Sequence, residues 1–141
     1  LVQLPPSFAF DSGTAQSFFT ELRSRFDGDV VFEPRHETWF KQDVDSLLKV
    51  QRVARVAADP ALVPVASEPG GYDRLVYYRL HGSPRIYYSA YPNETLTEIG
   101  RVLDERAAQG IVTWCIFDNT ALGAATSDAL AVREKILVDT R

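Results

Sequence analysis

The sequence predicts an α/β fold in which helices cover a parallel β-sheet. Short apolar segments, the length of buried strands, alternate along the chain with segments whose apolar residues recur at helical spacing. The strand segments are apolar almost throughout, as expected when both faces of a parallel sheet are covered. With 141 residues, 45% of them hydrophobic, the chain can bury a core of its own. We therefore predict a single domain over residues 1–141.

Five strands and four helices are predicted, in the order β-α-β-α-β-loop-β-α-β-α. The strands are apolar segments bounded by turn residues, and they cover residues 2–4, 30–33, 53–58, 75–81 and 111–117. The helices begin at residues that suit an N-cap or a first turn, which are Thr14, Asp43, Asn93 or Thr95, and Ala129 or Leu130. Residues 60–73 are rich in Pro, Gly, Ser and Ala and are predicted to form a long loop.

This pattern leaves two architectures open. A complete (β/α)₈ barrel has about 250 residues, so five βα units would be five-eighths of a barrel. The same units would also form a small, open, doubly wound sheet. The chain opens directly on Leu1 without a methionine, which favours a segment from the middle of a domain.

Composition narrows the classes of function. A net charge of −4 and a pI of about 5.1 give no global basic field for nucleic acid or a membrane surface, although a local basic pocket is compatible with them. The single cysteine, Cys115, lies in an apolar strand segment and excludes an internal disulfide, which is typical of a reducing compartment. No segment approaches transmembrane length. We predict a soluble, cytoplasmic protein with no membrane partner.

Polar residues follow the predicted strands at their carboxyl ends, which lie at one edge of a parallel sheet. The strand bodies, by contrast, are almost free of charge. The polar and aromatic residues at these ends are Glu33, Arg35, His36, Trp39, Asp59, Arg79, His81, Asp118 and Asn119. Tyr87 and Tyr91 lie in the loop that follows the fourth strand. The edge of the sheet is therefore the predicted site.

Arg79 and His81 are the strongest candidates. Side chains alternate along a strand, so both lie on one face, just before the break at Gly82. A long cation on an inward strand face needs a partner or a ligand. This argument favours a site over a purely structural role.

The other candidates have structural alternatives. Glu33 and Arg35 can pair with each other, and Trp39 belongs to a residue type that packs more often than it binds. Asp59 precedes a proline and suits a turn. Asp118 and Asn119 can form a plain turn.

Four motifs, in order along the chain, resemble the YecE-like family, titled domain of unknown function seventy-two. The motifs are residues 4–8, residues 33–39, residues 78–82 together with 87–91, and residues 117–125. The resemblance implies a TIM-like barrel of about 250 residues, of which this chain is the C-terminal five βα units. The recurring polar positions of the family coincide with the candidates above and add Gly82. Asp128 is a departure, because the family usually has an asparagine there, which puts the role of an amide in doubt.

The resemblance implies a fold and a site but no reaction. It also implies that three βα units are missing at the front. An isolated fragment exposes sheet edges and apolar surface, so we expect the missing units or a partner chain to be needed.

The first functional hypothesis is an enzyme of hydrolase or lyase type that acts on a small anionic substrate. His81 or His36 would move a proton, with Glu33 or Asp59 as orienting group or second acid–base group. The predicted substrate-binding residues are Arg35, Arg79, Trp39, Tyr87, Tyr91 and Asn119. The two histidines, with Glu33 and Asp59, would also suit a mixed nitrogen and oxygen metal site. Their spacing along the sequence carries no specificity, so no residue is assigned as a metal ligand. The cofactor stays open, with a divalent metal as the alternative to none.

Two alternatives compete with the enzyme. In a nucleic-acid-binding or nuclease-like barrel, the arginines, including Arg85, would contact phosphates while Tyr87, Tyr91 and Trp39 stack on bases. In a non-catalytic scaffold, the same charges would only brace the barrel.

Overall fold

A computed structural model describes residues 1–139 of the chain, and their side chains as far as Ile136. The chain divides into two compact units. Unit 1 contains Leu1–Ala57 and Ala61–Tyr77, and unit 2 contains Ala58–Pro60 and the chain from Tyr78 onward. The single domain predicted from the sequence stays a prediction.

The described chain contains seven strands and four helices. In order they are β1 (Val2–Gln3), α1 (Ser12–Arg25), β2 (Val30–Glu33), a 3₁₀ turn (Glu37–Trp39), α2 (Gln42–Val50), β3 (Val53–Arg55), β4 (Ala57–Asp59), a second 3₁₀ turn (Pro64–Ser67), β5 (Gly70–Gly71), β6 (Leu75–Leu80), α3 (Asn93–Ala108), β7 (Val112–Phe117) and α4 (Ala124–Asp139). The strands form two sheets, ordered β1-β2-β3-β5 and β4-β6-β7.

The sheet of unit 1 is parallel except for its last strand. β1 pairs with β2 and β2 pairs with β3 in parallel, with Val30 opposite Val53. β5 runs antiparallel to β3 and places Gly71 opposite Ala54. Gly71 has a φ of +66°, and a Cβ there would lie 2.3 Å from the Val53 carbonyl oxygen, so only glycine permits this close pairing.

The core of unit 1 consists of apolar side chains from both helices and from the sheet. Phe19 of α1 and Val44 and Leu48 of α2 are fully buried, and they pack with Phe32 of β2 and with Trp39. Packing of these apolar faces stabilises the two helices more than helix propensity does.

The core of unit 2 consists of side chains from the end of β6, from β7 and from helices α3 and α4. Leu80 and Leu96 pack with Val132, and Cys115 of β7 packs against them. Burial raises the pKa of the Cys115 thiol to about 12, so this thiol is not an activated nucleophile. Trp114, on the opposite face of β7, is 54% exposed.

One predicted strand was wrong in its extent. Residues 53–59 form two strands, β3 and β4, which belong to different sheets. Arg55 of β3 is a charged residue inside an apolar segment, and it is 4% exposed. The predicted loop after Pro60 contains the second 3₁₀ turn and β5.

The predicted helix starts differ from the structure. Asp11, and not Thr14, is the N-cap of α1, since its carboxylate accepts a hydrogen bond from the Thr14 amide at 2.8 Å. Helix α2 begins at Gln42, after Lys41 as N-cap. Helix α4 begins at Ala124, five residues before Ala129. Helix α3 begins at Asn93 after Pro92 as N-cap, so its N-cap lies one residue before the nearer of the two predicted positions.

Candidate functional site

Unit 2 contains six of the ten residues predicted to form a site, and unit 1 contains the other four. Those in unit 2 are Asp59, Arg79, His81, Tyr87, Tyr91 and Asn119, and those in unit 1 are Glu33, Arg35, His36 and Trp39. The six in unit 2 come from the ends of β4 and β6, from the loop after β6 and from the segment after β7. Hydrogen bonds and ring contacts link these residues to one another or to neighbouring side chains.

Asp118 contacts two of these residues, Arg79 and His81. Its Oδ2 accepts a hydrogen bond from Arg79 Nη2 at 2.8 Å and lies 3.1 Å from His81 Nδ1. The Asp118 amide donates to the Leu80 carbonyl at 2.7 Å, which fixes the exit of β7 beside the end of β6. An ionised carboxylate can only accept, so Nδ1 of a neutral His81 carries the hydrogen and Nε2 is the nitrogen that gains or loses a proton.

Arg79, Asp118 and His81, called the trio below, differ in the solvent exposure of their side chains. The side chains of Arg79 and Asp118 are 18% and 28% exposed, whereas that of His81 is 3% exposed. A molecule approaching from solvent therefore meets the guanidinium and the carboxylate before the imidazole.

Tyr91 connects the end of β4 to the break after β6. Its hydroxyl donates to Asp59 Oδ2 at 2.7 Å and accepts from the Gly82 amide at 2.8 Å. Burial, and then the hydrogen bond to Asp59, raise the pKa of Tyr91 well above its ordinary value. The phenol therefore stays a protonated donor, and it holds the Asp59 carboxylate in place.

Asn119 and Asp128 are both buried and form a hydrogen-bonded pair. Asn119 Nδ2 donates to Asp128 Oδ2 at 2.7 Å and to the Ser89 carbonyl at 3.0 Å. The same Asp128 oxygen accepts from the Tyr91 amide at 3.1 Å. Asp128, the departure from the family pattern, thus acts only as an acceptor in these contacts, which an amide oxygen would do equally well.

The loop after β6 folds back on the end of the strand. Gly82 has a φ of +91°, and a Cβ there would lie 2.7 Å from the Ser89 carbonyl, so the turn requires glycine. Tyr87 also has a positive φ, +70°, and its amide donates to the His81 carbonyl at 2.6 Å. The Tyr87 ring lies 5.6 Å from the His81 ring and is 43% exposed.

In unit 1, Glu33 and Arg35 form an ion pair, which is the structural role expected for them as the alternative to a site. Arg35 Nη2 lies 2.7 Å from Glu33 Oε1, and Glu33 is 2% exposed. His36 caps the 3₁₀ turn that follows, because its Nδ1 accepts from the Thr38 amide at 3.3 Å. These three residues therefore have local structural contacts, and their catalytic and binding roles stay predictions.

Trp39 is part of the core of unit 1. It is 3% exposed, its indole N–H donates to the Phe8 carbonyl at 2.8 Å, and its ring packs on Phe10 and Phe32. It lines an apolar cavity of about 250 Å³ together with Phe8 and Phe18. A binding role for this ring stays a prediction.

Sequence reasoning missed two charged residues. The predicted strand ends include Asp118, but the predicted site residues do not, because Asp-Asn suits a turn equally well. Arg55 lies inside an apolar segment and is in neither set. Its guanidinium lies 5.0 Å from the Phe40 ring centroid, donates to the Val65 carbonyl at 3.2 Å and approaches Asp45 Oδ1 to 3.6 Å. A charge inside an apolar strand segment was the available signal.

Two further properties concern metals and membranes. Among the described residues, no group of three or more His, Cys, Asp and Glu side chains is arranged to hold a metal ion. Across the same part of the chain, none of the helices combines the length and apolarity needed to cross a membrane.

Parallel strands with polar residues at their carboxyl ends define the class of this protein as α/β, with a candidate site at its strand ends. The family follows from the sequence. Residues 1–140 match the model of a family described as "Protein of unknown function DUF72", and the chain belongs to that family. No curated protein matches it.

The chain is also similar to solved structures of DUF72 family proteins. One, from Enterococcus faecalis V583, has a TM-score of 0.76 and 16% identity over 96% of this chain and 57% of that one. Another, from Thermotoga maritima MSB8, has a TM-score of 0.73 and 21% identity over 97% of this chain and 56% of that one. The chain thus spans little more than half the length of these relatives. The predicted fold class, a part of a TIM-like α/β barrel, is confirmed.

Proposed function

We propose that this chain carries the acid–base and anion-binding group of an enzyme that acts on a small anionic substrate. One observation supports this most. A single carboxylate, Asp118, contacts both the Arg79 guanidinium and the His81 imidazole. A guanidinium is suited to hold a phosphate or a carboxylate, and an imidazole is suited to exchange a proton near neutral pH.

The charge of this trio depends on the proton of His81. With Asp118 ionised and His81 neutral, the charges of Arg79 and Asp118 cancel. With His81 protonated, the trio carries one positive charge, which attracts an anion at the exposed edge of Arg79. Anion binding and protonation of His81 therefore strengthen each other.

Asp118 and His81 together are the proposed acid–base pair. Asp118 accepts a hydrogen bond from Nδ1 and orients the ring, and His81 takes up or supplies the proton at Nε2. In a hydrolysis the pair removes a proton from the attacking water and returns it to the leaving group. In an elimination it removes a proton from carbon. Asp59, held by Tyr91, is the second carboxylate of the group.

The test is binding of inorganic phosphate and acetate to the protein with its further βα units present, measured by thermal unfolding and titration calorimetry. A ligand at one hundred times its Kd stabilises a protein by about 2.7 kcal/mol. We expect one of these anions to stabilise the wild type and Arg79→Ala to weaken its binding about tenfold or more. Arg74→Ala, an exposed arginine just before β6, is the matched control and should bind as the wild type does. If neither anion binds, the proposal fails.

The second candidate function is binding of single-stranded nucleic acid. The Arg85 guanidinium lies 3.8 Å from the Tyr88 ring centroid, in a loop where Tyr87 is also exposed. Trp39 and Tyr91, predicted to stack on bases, are 3% and 7% exposed, which weakens this candidate. Binding of short oligonucleotides that fades with added salt would favour it over the enzyme.

On this proposal, the partners of the enzyme include further βα units on the same or another chain. The solved relatives are longer, and Val112 and Trp114 of β7 are both more than half exposed. Sedimentation of the isolated chain tests this, since self-association or aggregation is expected and a stable monomer would argue against it. A cytoplasmic location also stays part of the proposal, suggested by the single thiol.

A further inference from the structure

Tyr87 has a backbone conformation that a bulky residue rarely adopts. Its φ of +70° lies in the left-handed region, where a side chain costs free energy that glycine does not. Two hydrogen bonds hold it there. The Tyr87 amide donates to the His81 carbonyl at 2.6 Å, and the Ala121 amide donates to the Tyr87 carbonyl at 3.0 Å. The loop therefore fixes this residue beside both the end of β6 and the segment after β7.

The Tyr87 ring does not fill the core. The residue as a whole is 43% exposed, and it is not a member of the buried cluster of unit 2. Its ring contact is with His81, at 5.6 Å between centroids and nearly perpendicular. Glycine would suit the backbone better, so a tyrosine here indicates that the ring itself has a use.

The neighbouring tyrosine offers a comparison within the same loop. Tyr88 is 40% exposed, and the Arg85 guanidinium lies over its ring at 3.8 Å. Its ring thus already has a cation from its own loop, whereas the Tyr87 ring adjoins the proposed acid–base pair. The two tyrosines match in type and exposure and differ in surroundings.

We propose that Tyr87 gives the site a preference for anions that carry a ring beside the charged group. This inference rests on the proposed function, because Arg79 must hold the anion. An exposed phenol ring stacks on the flat face of an aromatic ring or on the C–H face of a sugar. The substrate class is therefore a ring-bearing phosphate or carboxylate, and aryl and sugar compounds share the chemistry that Tyr87 recognises.

The experiment compares three probes by titration calorimetry: inorganic phosphate, phenyl phosphate and glucose 6-phosphate. The wild type should bind at least one ring-bearing probe about three to ten times more tightly than inorganic phosphate. Tyr87→Gly should reduce this ratio to about one, because stacking is lost while the backbone strain is relieved. Tyr87→Phe should keep the ratio, and so should Tyr88→Ala, the matched control. The probe that gains affinity identifies the aryl or the sugar source.

Two results would overturn the assignment of Tyr87. One is equal affinity of the wild type for all three probes, and the other is a ratio that survives the Tyr87→Gly change. Tyr87→Asn, which also tolerates a positive φ and lacks the ring, repeats the test if the glycine variant does not fold. Absence of any phosphate or carboxylate binding by the wild type would instead refute the proposed function, and this inference with it.

Discussion

Each unit of the molecule contains a largely buried arginine beside an aspartate, and the two pairs differ in their third partner. In unit 1, Asp45 Oδ1 approaches Arg55 and accepts from the Gly71 amide at 2.8 Å. In unit 2, Asp118 contacts Arg79 and the His81 ring. A backbone amide is a fixed donor, whereas an imidazole gains and loses a proton near neutral pH.

The remaining contacts of Arg55 explain its structural role, which is to brace two segments of unit 1. Its guanidinium lies against the Phe40 ring and donates to the Val65 carbonyl, so it ties β3 to the segment that returns as β5. Burial lowers the pKa of Arg55, and the Asp45 carboxylate opposes this shift. A buried strand arginine is thus not by itself a sign of function. The titratable partner is what makes the Arg79 pair a candidate site.

The largest expected effect is the loss of the brace. Arg55→Ala leaves Asp45 without its cation and removes the contacts that hold the segment at Gly71. We expect the free energy of unfolding in urea to fall by about 2–3 kcal/mol. A decrease below about 0.5 kcal/mol, the range of ordinary surface substitutions, would show that Arg55 does not brace unit 1.

The next effect concerns the titratable partner in unit 2. The measurement is the affinity for sulfate at a fixed pH by titration calorimetry. His81→Gln removes the imidazole that can add a positive charge beside Arg79 and Asp118, so sulfate affinity should fall about three- to tenfold.

His36→Gln is the matched control, because His36 is the other histidine of the chain. Its affinity for sulfate should equal that of the wild type. If sulfate affinity falls in the His36 variant and not in the His81 variant, the anion-binding group belongs to unit 1.

The smallest expected effect is the loss of the hydrogen bonds that the Tyr91 hydroxyl makes with Asp59 and Gly82. Tyr91→Phe removes the donor to Asp59 and the acceptor for the Gly82 amide, so the free energy of unfolding at pH 8 should fall by about 1–2 kcal/mol. Because the folded-state pKa of Tyr91 is raised, its contribution is fully present below about pH 10, the unfolded value. It is lost as the pH rises above that value.

The difference in stability between wild type and Tyr91→Phe should therefore narrow above about pH 10. Tyr88→Phe is the control, since the Tyr88 ring is exposed and loss of its hydroxyl should change stability little. A wild type to Tyr91→Phe difference that stays constant up to pH 11 would contradict the account of Tyr91.

Much of the fold and the strand-end positions could be predicted because they depend on local patterns. The bounds of β2 follow from a short apolar segment, and the polar residues after each strand share one edge through parallel topology alone. The partners of Arg55 and Asp118 depend on which segments meet in space. The spacing of residues along the sequence does not indicate that Gly71 pairs with β3 or that Asp118 lies beside Arg79. Asp11 was missed because the apolar stripe of α1 begins only after the first helical residues.

The most direct test of the central claim is calorimetric titration of inorganic phosphate into Arg79→Ala and Arg55→Met beside the wild type. Methionine keeps the apolar stem of Arg55, which favours a folded variant. The account predicts that phosphate affinity falls about tenfold or more in Arg79→Ala and is unchanged in Arg55→Met. Equal affinity in Arg79→Ala and wild type, or a loss in Arg55→Met alone, would contradict the assignment of the Asp118 group as the site.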